Sequence, residues 1–283
     1  MAELQPDIDD IDEAEETVCG SCAWVSSEGR YGSRCLPECY QVGAAAILTL
    51  SALPPFALPA MAANFTPPEG CRLEITVQNR GCTVAQHYRC SGDAPGDQWV
   101  TYFTREGATY QSRIDRETRW MESTDLRSGL VDVLEEQAAD HASFSTLTRT
   151  GRDDFDFWTR SNSGERLRHV GHDALTGETV QIDGVTLEVT RFDLTTYSES
   201  GEVLITRKGQ QFISRAQGRF YGGVETSEDW TGARQETNDS PVSFSFPGQP
   251  GFGSTTPEYD CDLQMVRGQG AGILGQLMKE ART

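Results

Sequence analysis

The densest group of chemically capable side chains in the sequence is Asp153-Asp154-Phe155-Asp156-Phe157-Trp158. On a strand, alternate residues share a face. Asp154, Asp156 and Trp158 then lie together, and Phe155 and Phe157 lie opposite. Asn162-Ser163-Gly164 marks a turn, and Glu165 to His172 is the expected partner strand. This pairing sets Arg166, Arg168, Val170 and His172 on the polar face and leaves Leu167 with the phenylalanines. In one register Asp154 lies near His172 and Trp158 near Arg168. A carboxylate and an imidazole beside an aromatic platform are suited to acid–base catalysis or metal binding. The same residues also make a solvated strand face crossed by ion pairs, and such faces are common. Asp154, Asp156, Trp158, Arg168 and His172 are therefore the polar cluster whose placement matters most.

Other reactive residue types add less. His169 and His172 are three apart, which puts them on opposite faces of a strand, so one metal cannot easily take both. His87 and His141 stand alone in the sequence, and lone histidines are more often structural or surface residues than ligands. No Gly-x-Ser-x-Gly, Ser-x-x-Lys or His-Glu-x-x-His occurs. No catalytic, cofactor-binding or metal-ligating residue is therefore assigned, and no cofactor is expected. Gly268-Gln269-Gly270-Ala271-Gly272 has the glycines of a dinucleotide loop without a preceding strand or room for a βαβ unit. It reads as a flexible tail with a short terminal helix near Leu274 to Lys279. Pro247 to Gly253 reads as a loop ordered by its prolines.

The cysteines fall into two groups. Cys19-x2-Cys22 and Cys35-x3-Cys39 have roughly the spacing of a four-thiolate zinc site. They lie in an acidic run without hydrophobic support for a zinc ribbon, and a start site placed too far upstream is the plainer reading. Cys71, Cys82, Cys90 and Cys261 form an even set that reads as two disulfides. Arg72 to Gln78 alternates with Leu73, Ile75 and Val77 on one face. Cys82 to Cys90 alternates with Val84, Gln86 and Tyr88. Asn79-Arg80-Gly81 is a turn signal between them. A hairpin with a four-residue loop, 79 to 82, puts Val77 opposite Val84, Leu73 opposite Tyr88 and Cys71 opposite Cys90. Directly opposed residues are close enough for a bridge. Cys82 is then left for Cys261.

Between the two groups, residues 42 to 62 are apolar and uncharged and end in Ala60-Met61-Ala62 before Ala63. This is the pattern of a signal peptide cleaved between Ala62 and Ala63. As a membrane span it is broken by Pro54, Pro55 and Pro59. Its upstream flank holds ten acids against Arg30 and Arg34, which is poor for a cytoplasmic positive flank. The expected organisation is an acidic extension over 1–41 that is disordered or not translated, a signal peptide over 42–62, one β domain over 63–265, and a tail over 266–283. The chain is then exported, periplasmic or extracellular, with no stable membrane span after cleavage. The 221 residues after Ala62 carry 33 acids against 22 lysines and arginines. That balance disfavours nucleic acid, which needs a basic patch.

The elements that must position these groups read as β throughout. From Val185 to Tyr197, eight of thirteen residues are Val, Thr, Phe or Tyr, types that suit a pleated surface. Val203 to Arg215 and Arg219 to Trp230 continue it across Ser198 to Gly201 and Gln217-Gly218. Shorter runs occupy 98–105, 108–114, 117–123, 152–161, 165–172, 177–182 and 241–246. Glu106-Gly107, Ser163-Gly164, Thr176-Gly177 and Asp183-Gly184 punctuate them as turns. The spacing predicts a mainly β fold. Its form is an antiparallel meander making a strongly curved sheet or an open or closed β-barrel, with at most one or two short helices. The one helical candidate is Val131 to Leu147, placed to plug one end or cover one face.

The stretches CRLEITVQNRGCTV, DDFDFWTRSNSGERLRHVG and QQFISRAQGRFYGGVE resemble uncharacterised exported β-rich proteins of Gram-negative bacteria, over most of residues 71–262. The resemblance carries no activity to transfer. Two functions follow as expectations. One is a non-catalytic exported module that binds a small apolar ligand, a lipid or an envelope protein, and it requires a cavity, groove or apolar patch. The other is an envelope hydrolase, which requires Asp154, Asp156 and His172 to converge in a concave site.

Overall fold

The structure, a computed structural model, describes residues 64–262. The acidic stretch with Cys19, Cys22, Cys35 and Cys39, the segment 42–62, the Ala62/Ala63 junction and the tail 266–283 lie outside the described residues. Thirteen strands form in chain order. They are β1 Cys71–Asn79, β2 Thr83–Cys90, β3 Gln98–Thr104, β4 Gly107–Ile114, β5 Trp120–Asp125, β6 Leu130–Leu134 and β7 Arg152–Ser161. Then follow β8 Arg166–Ile182, β9 Val185–Tyr197, β10 Val203–Ser214, β11 Arg219–Asp229, β12 Arg234–Asn238 and β13 Pro241–Ser245. One short helix, α1 Phe144–Thr150, precedes β7.

All thirteen strands belong to one antiparallel sheet in the order β12-β11-β10-β9-β8-β7-β6-β5-β4-β3-β2-β1-β13. It is the expected β meander, curled but not closed into a ring of ladders. Strand directions alternate, so the β2–β3, β4–β5, β6–β7, β8–β9 and β10–β11 connections all lie at one end. The two edge strands are consecutive in the chain and run the same way. β12 pairs with β11, Asp239 donates to the Gly223 carbonyl, Arg80 donates to the Ser240 carbonyl, and β13 pairs with β1. One descending stretch thus changes partner at Asp239-Ser240 and carries the chain from the last edge of the sheet to the first.

Burial along β9 shows how the sheet curls. Phe192 and Leu194 share one face, and Leu187 and Val189 the other, yet all four are buried. The first pair packs on Phe155 and Phe157. The second packs with Ile75, Val77, Ala85, Phe212, Tyr221 and Phe244. Ile75, Val77 and Ala85 belong to the inner face of β1 and β2, since the registered pairs Val77–Ala85, Ile75–His87 and His87–Val100 share it. The outer face of one end of β8–β11 therefore lies against the inner face of β1, β2 and β13. The sheet is rolled as a scroll, with a shared core in the overlap. Glycines allow the tight turn of the roll. A Cβ on Gly223 would stand 1.9 Å from the Gln210 carbonyl oxygen, and one on Gly209 would stand 2.1 Å from the Val224 carbonyl oxygen.

Several local expectations are corrected. Leu73 faces Tyr88 and Cys71 faces Cys90, but a bulge between Leu73 and Ile75 shifts the rest of the ladder, so Val77 faces Ala85. The loop is three residues, Arg80 to Cys82, because Gly81 and Cys82 both turn through positive φ (73° and 57°). The runs 165–172 and 177–182 are one strand, β8. Thr176-Gly177 is a bulge rather than a turn, absorbing two extra residues between Leu175 and Thr179. The strand near 117–123 starts at Trp120, since Asp115 and Thr118 close a turn before it. No helix covers Val131 to Leu147. Leu130–Leu134 pairs between β5 and β7, and the helix is Phe144–Thr150. Its start is set by Ser143, whose hydroxyl accepts from the Thr146 N–H, and its end by Gly151 at φ 86°. Strand β12 is an addition to the expected set.

Candidate functional site

The inner wall of the scroll surrounds a cavity of about 480 Å³ that is mostly apolar. Alternation places its lining. Tyr102 on β3 faces Tyr110 on β4, Phe155 and Phe157 come from β7, Leu167 and His169 from β8, and Phe192, Leu194 and Thr196 from β9. Tyr110 and Trp120 are 37% and 43% exposed. Yet the Trp120 ring packs edge-on to Phe157 and His169, both buried. The surface these two aromatics leave open belongs to the wall of the hollow. Leu130, Leu204 and Trp230, the last 62% exposed, rim the end where β5–β6, β9–β10 and β11–β12 connect. At the opposite end α1 lies across the roll. Phe144 packs edge-on to Phe220, and Arg215 donates to the Thr148 carbonyl.

Polar and charged side chains are set into this wall among the apolar ones. The His169 imidazole lies between the Thr159 and Thr196 hydroxyls at 3.0 and 3.2 Å. Burial, with Arg207 nearby, lowers its pKa to about 3, so it is neutral at physiological pH. Arg207 stands 3.5 Å from Glu225, and burial pulls the guanidinium down and the carboxyl up. Asp173 is raised to about 7 by burial and by Asp153, which faces it across the ladder. Asp153 itself is raised to about 6, mainly by burial, and accepts from the Ser143 N–H at 2.7 Å. His87 and Arg219 are both only 4% exposed. Burial lowers both, and Arg219 lowers His87 further.

The expected polar cluster lies on the other side of the sheet. β7 and β8 pair with Asp154 opposite His172 and Trp158 opposite Arg168. Asp154 is held by Arg152 at 2.6 Å and Asp156 by Arg168 at 2.5 Å, and these partners keep both carboxyls below their ordinary values. The guanidinium stacked on Trp158 is that of Arg166, at 3.9 Å, rather than Arg168. Arg166 also binds Glu135, which draws it across the ring. None of Asp154, Asp156, Trp158, Arg168 and His172 lines the cavity. They lie on the convex face, where Asp154 pairs with Arg152, Asp156 pairs with Arg168 and Trp158 carries the Arg166 guanidinium.

The four cysteines of the described residues are joined Cys71–Cys90 and Cys82–Cys261. The residues that sequence reasoning missed are those of the inner wall and, on the outer face of β11 where the roll overlaps β2 and β3, Arg219. One signal was available for His169. The register that opposes Asp154 to His172 also opposes Phe157 to His169, on the face that carries the phenylalanines. For Arg207 the signal is its place between Ile205 and Gln211 on one strand face. Arg219, directly after the Gln217-Gly218 turn, carries no such signal. The chain matches no family model, no curated protein and no solved structure.

Proposed function

We propose that the protein is an exported module that takes up a small, largely apolar ligand inside the rolled sheet. The observation that carries this reading is the hollow itself, with aromatic side chains open on its wall. Close-packed interiors leave few voids larger than a water molecule, and apolar ones of this size are costly to keep empty. Its volume falls in the range of small-molecule sites, which are mostly apolar with a few placed polar groups. The two bridges support an oxidising compartment, in keeping with the signal-like segment 42–62. Among the described residues no helix is long and apolar enough to cross a membrane.

The test is titration with a neutral fluorescent apolar probe, N-phenyl-1-naphthylamine. Saturable binding is expected. Ser112 lines the cavity, and Ser112→Phe should weaken the probe about tenfold or more by filling the space, with the thermal midpoint retained. The double variant Asp154→Ala, His172→Ala on the convex face should bind as the parent does. Unchanged affinity in Ser112→Phe, or lost affinity in the convex-face variant, would count against the hollow as the site.

A further inference from the structure

Arg219 is a buried cation without a buried anion. It opens β11 at the end crossed by α1, and its side chain borders the cavity. Its Nε donates to Gln98 Oε1 at 2.7 Å, and its Nη2 donates to the same oxygen. Gln98 is held in this orientation because its own Nε2 donates to the carbonyls of Gln217 and Gly218 at 3.2 and 2.9 Å. One neutral oxygen therefore receives two of the guanidinium's donor nitrogens, the Tyr221 hydroxyl is the other polar group beside the guanidinium, and Nη1 is buried without a hydrogen-bond acceptor in line. No ion pair joins Arg219 to a carboxylate among the described residues. The His87 ring borders the same cavity with both nitrogens buried and unpartnered. Arg207, the other cation deep in the wall, has Glu225 beside it at 3.5 Å.

A guanidinium out of water and without a counter-charge is costly to keep, and so is a buried donor without an acceptor. Two such groups bordering one hollow are what an incoming anion would complete. Arg suits this task because its planar fork matches a carboxylate. The carboxyls among the cavity residues at the far rim, Asp125, Glu165 and Asp229, stand at the opposite ends of their elements.

We propose that the ligand is a monoanionic amphiphile whose carboxylate docks on Arg219 Nη1 beside His87, with its apolar body along the Tyr102, Tyr110 and Phe157 wall. This rests on the hollow being a ligand site and adds the head-group chemistry. A water molecule on Nη1 is the alternative that the experiment must separate.

The experiment displaces N-phenyl-1-naphthylamine with decanoate and, in parallel, with decanol, which has the same tail and no charge. Decanoate should compete about ten- to a hundredfold better than decanol, as expected for charged hydrogen bonds. Arg219→Met should abolish that preference and leave probe and decanol affinity near the parent values. Arg219→Lys, which keeps the charge, should retain part of it. Equal displacement by acid and alcohol in the parent would overturn the head-group assignment and leave the hollow as a site. So would an equal loss of both competitors in Arg219→Met with Arg219→Lys indistinguishable from the parent. No probe binding at all would overturn the ligand site and the head group together. If Arg219→Met does not fold, the parent comparison of acid with alcohol and the lysine variant decide.

Discussion

Asp173 and His169 stand four residues apart on the inner face of β8, and burial moves their acidities in opposite directions. Folding holds the Asp173 proton to about pH 7, against an ordinary 3.8. For this group stability is whole below the unfolded value and is lost as pH rises through 7, because the folded state binds more protons in that window. His169 is the reverse. Its folded value of about 3 lies below the ordinary 6.5, so its contribution is whole above 6.5 and is lost as pH falls toward 3. Between these limits the two oppose each other, and the parent's pH profile alone will not resolve them. Asp173→Asn should therefore stabilise by roughly 2–4 kcal/mol above pH 7 and change little near pH 4. Urea titrations at the two pH values measure this, and equal effects at both would mean that the native carboxyl is not held protonated. The convex-face pairing could be read from the sequence because alternation and one turn fix which residues oppose each other. Phe155, Phe157 and Leu167 mark the face that turns inward, but how far the sheet rolls, and so that this face encloses a hollow, is a matter of curvature that no residue between Asp153 and His172 encodes. Residue type alone therefore points to Asp154 and His172, whereas the buried titrating groups are their neighbours Asp153 and Asp173.

At the scale of elements, long strands and Gly-bearing turns were legible, and Val185–Tyr197 and Arg152–Ser161 form as the pattern predicts. The departures have local causes. The bulge at Glu74 and the bulge at Thr176–Glu178 each insert residues without breaking hydrogen bonding on either side. An apolar-polar pattern alone does not reveal an insertion that leaves the strand continuous. The false helix over Val131 to Leu147 merged a short strand, a connection and half of a true helix, whose N-cap Ser143 marks the real start. Curvature depends on residues with no side chain. Gly223→Ala should destabilise the domain by about 2–4 kcal/mol, since its Cβ would collide with backbone rather than with a mobile side chain. A denaturant midpoint unchanged from the parent would show that β10 and β11 can separate there at little cost.

Across the whole molecule, the two disulfides do different work. Cys71–Cys90 spans 19 residues within a hairpin, and Cys82–Cys261 spans 179. In the chain-entropy view the first stabilises by about 3 kcal/mol and the second by about 5 kcal/mol. The pair Cys82→Ser, Cys261→Ser should thus lower stability more than Cys71→Ser, Cys90→Ser, as measured by guanidinium unfolding of each double variant. The reverse ranking would mean that the long loop is already restrained in the unfolded chain. The rolled overlap was not legible at all, because it depends on one face of β9 being buried at one end and the other face at the other.

The partner change at Asp239-Ser240 has a consequence for the order in which the chain can assemble. β1 is made early and finds β2 at once across a short turn. Its second edge stays bare until residues 241–245 have been synthesised, since only β13 covers it. Unpaired edges recruit other strands, and contacts this distant in sequence form late. Cys82 waits over the same span for Cys261, with Cys71 and Cys90 close at hand. The period in which a nascent chain can join a second copy through β1 is therefore also the period in which it can form a wrong bridge, and the arrival of the segment from Pro241 to Cys261 ends both.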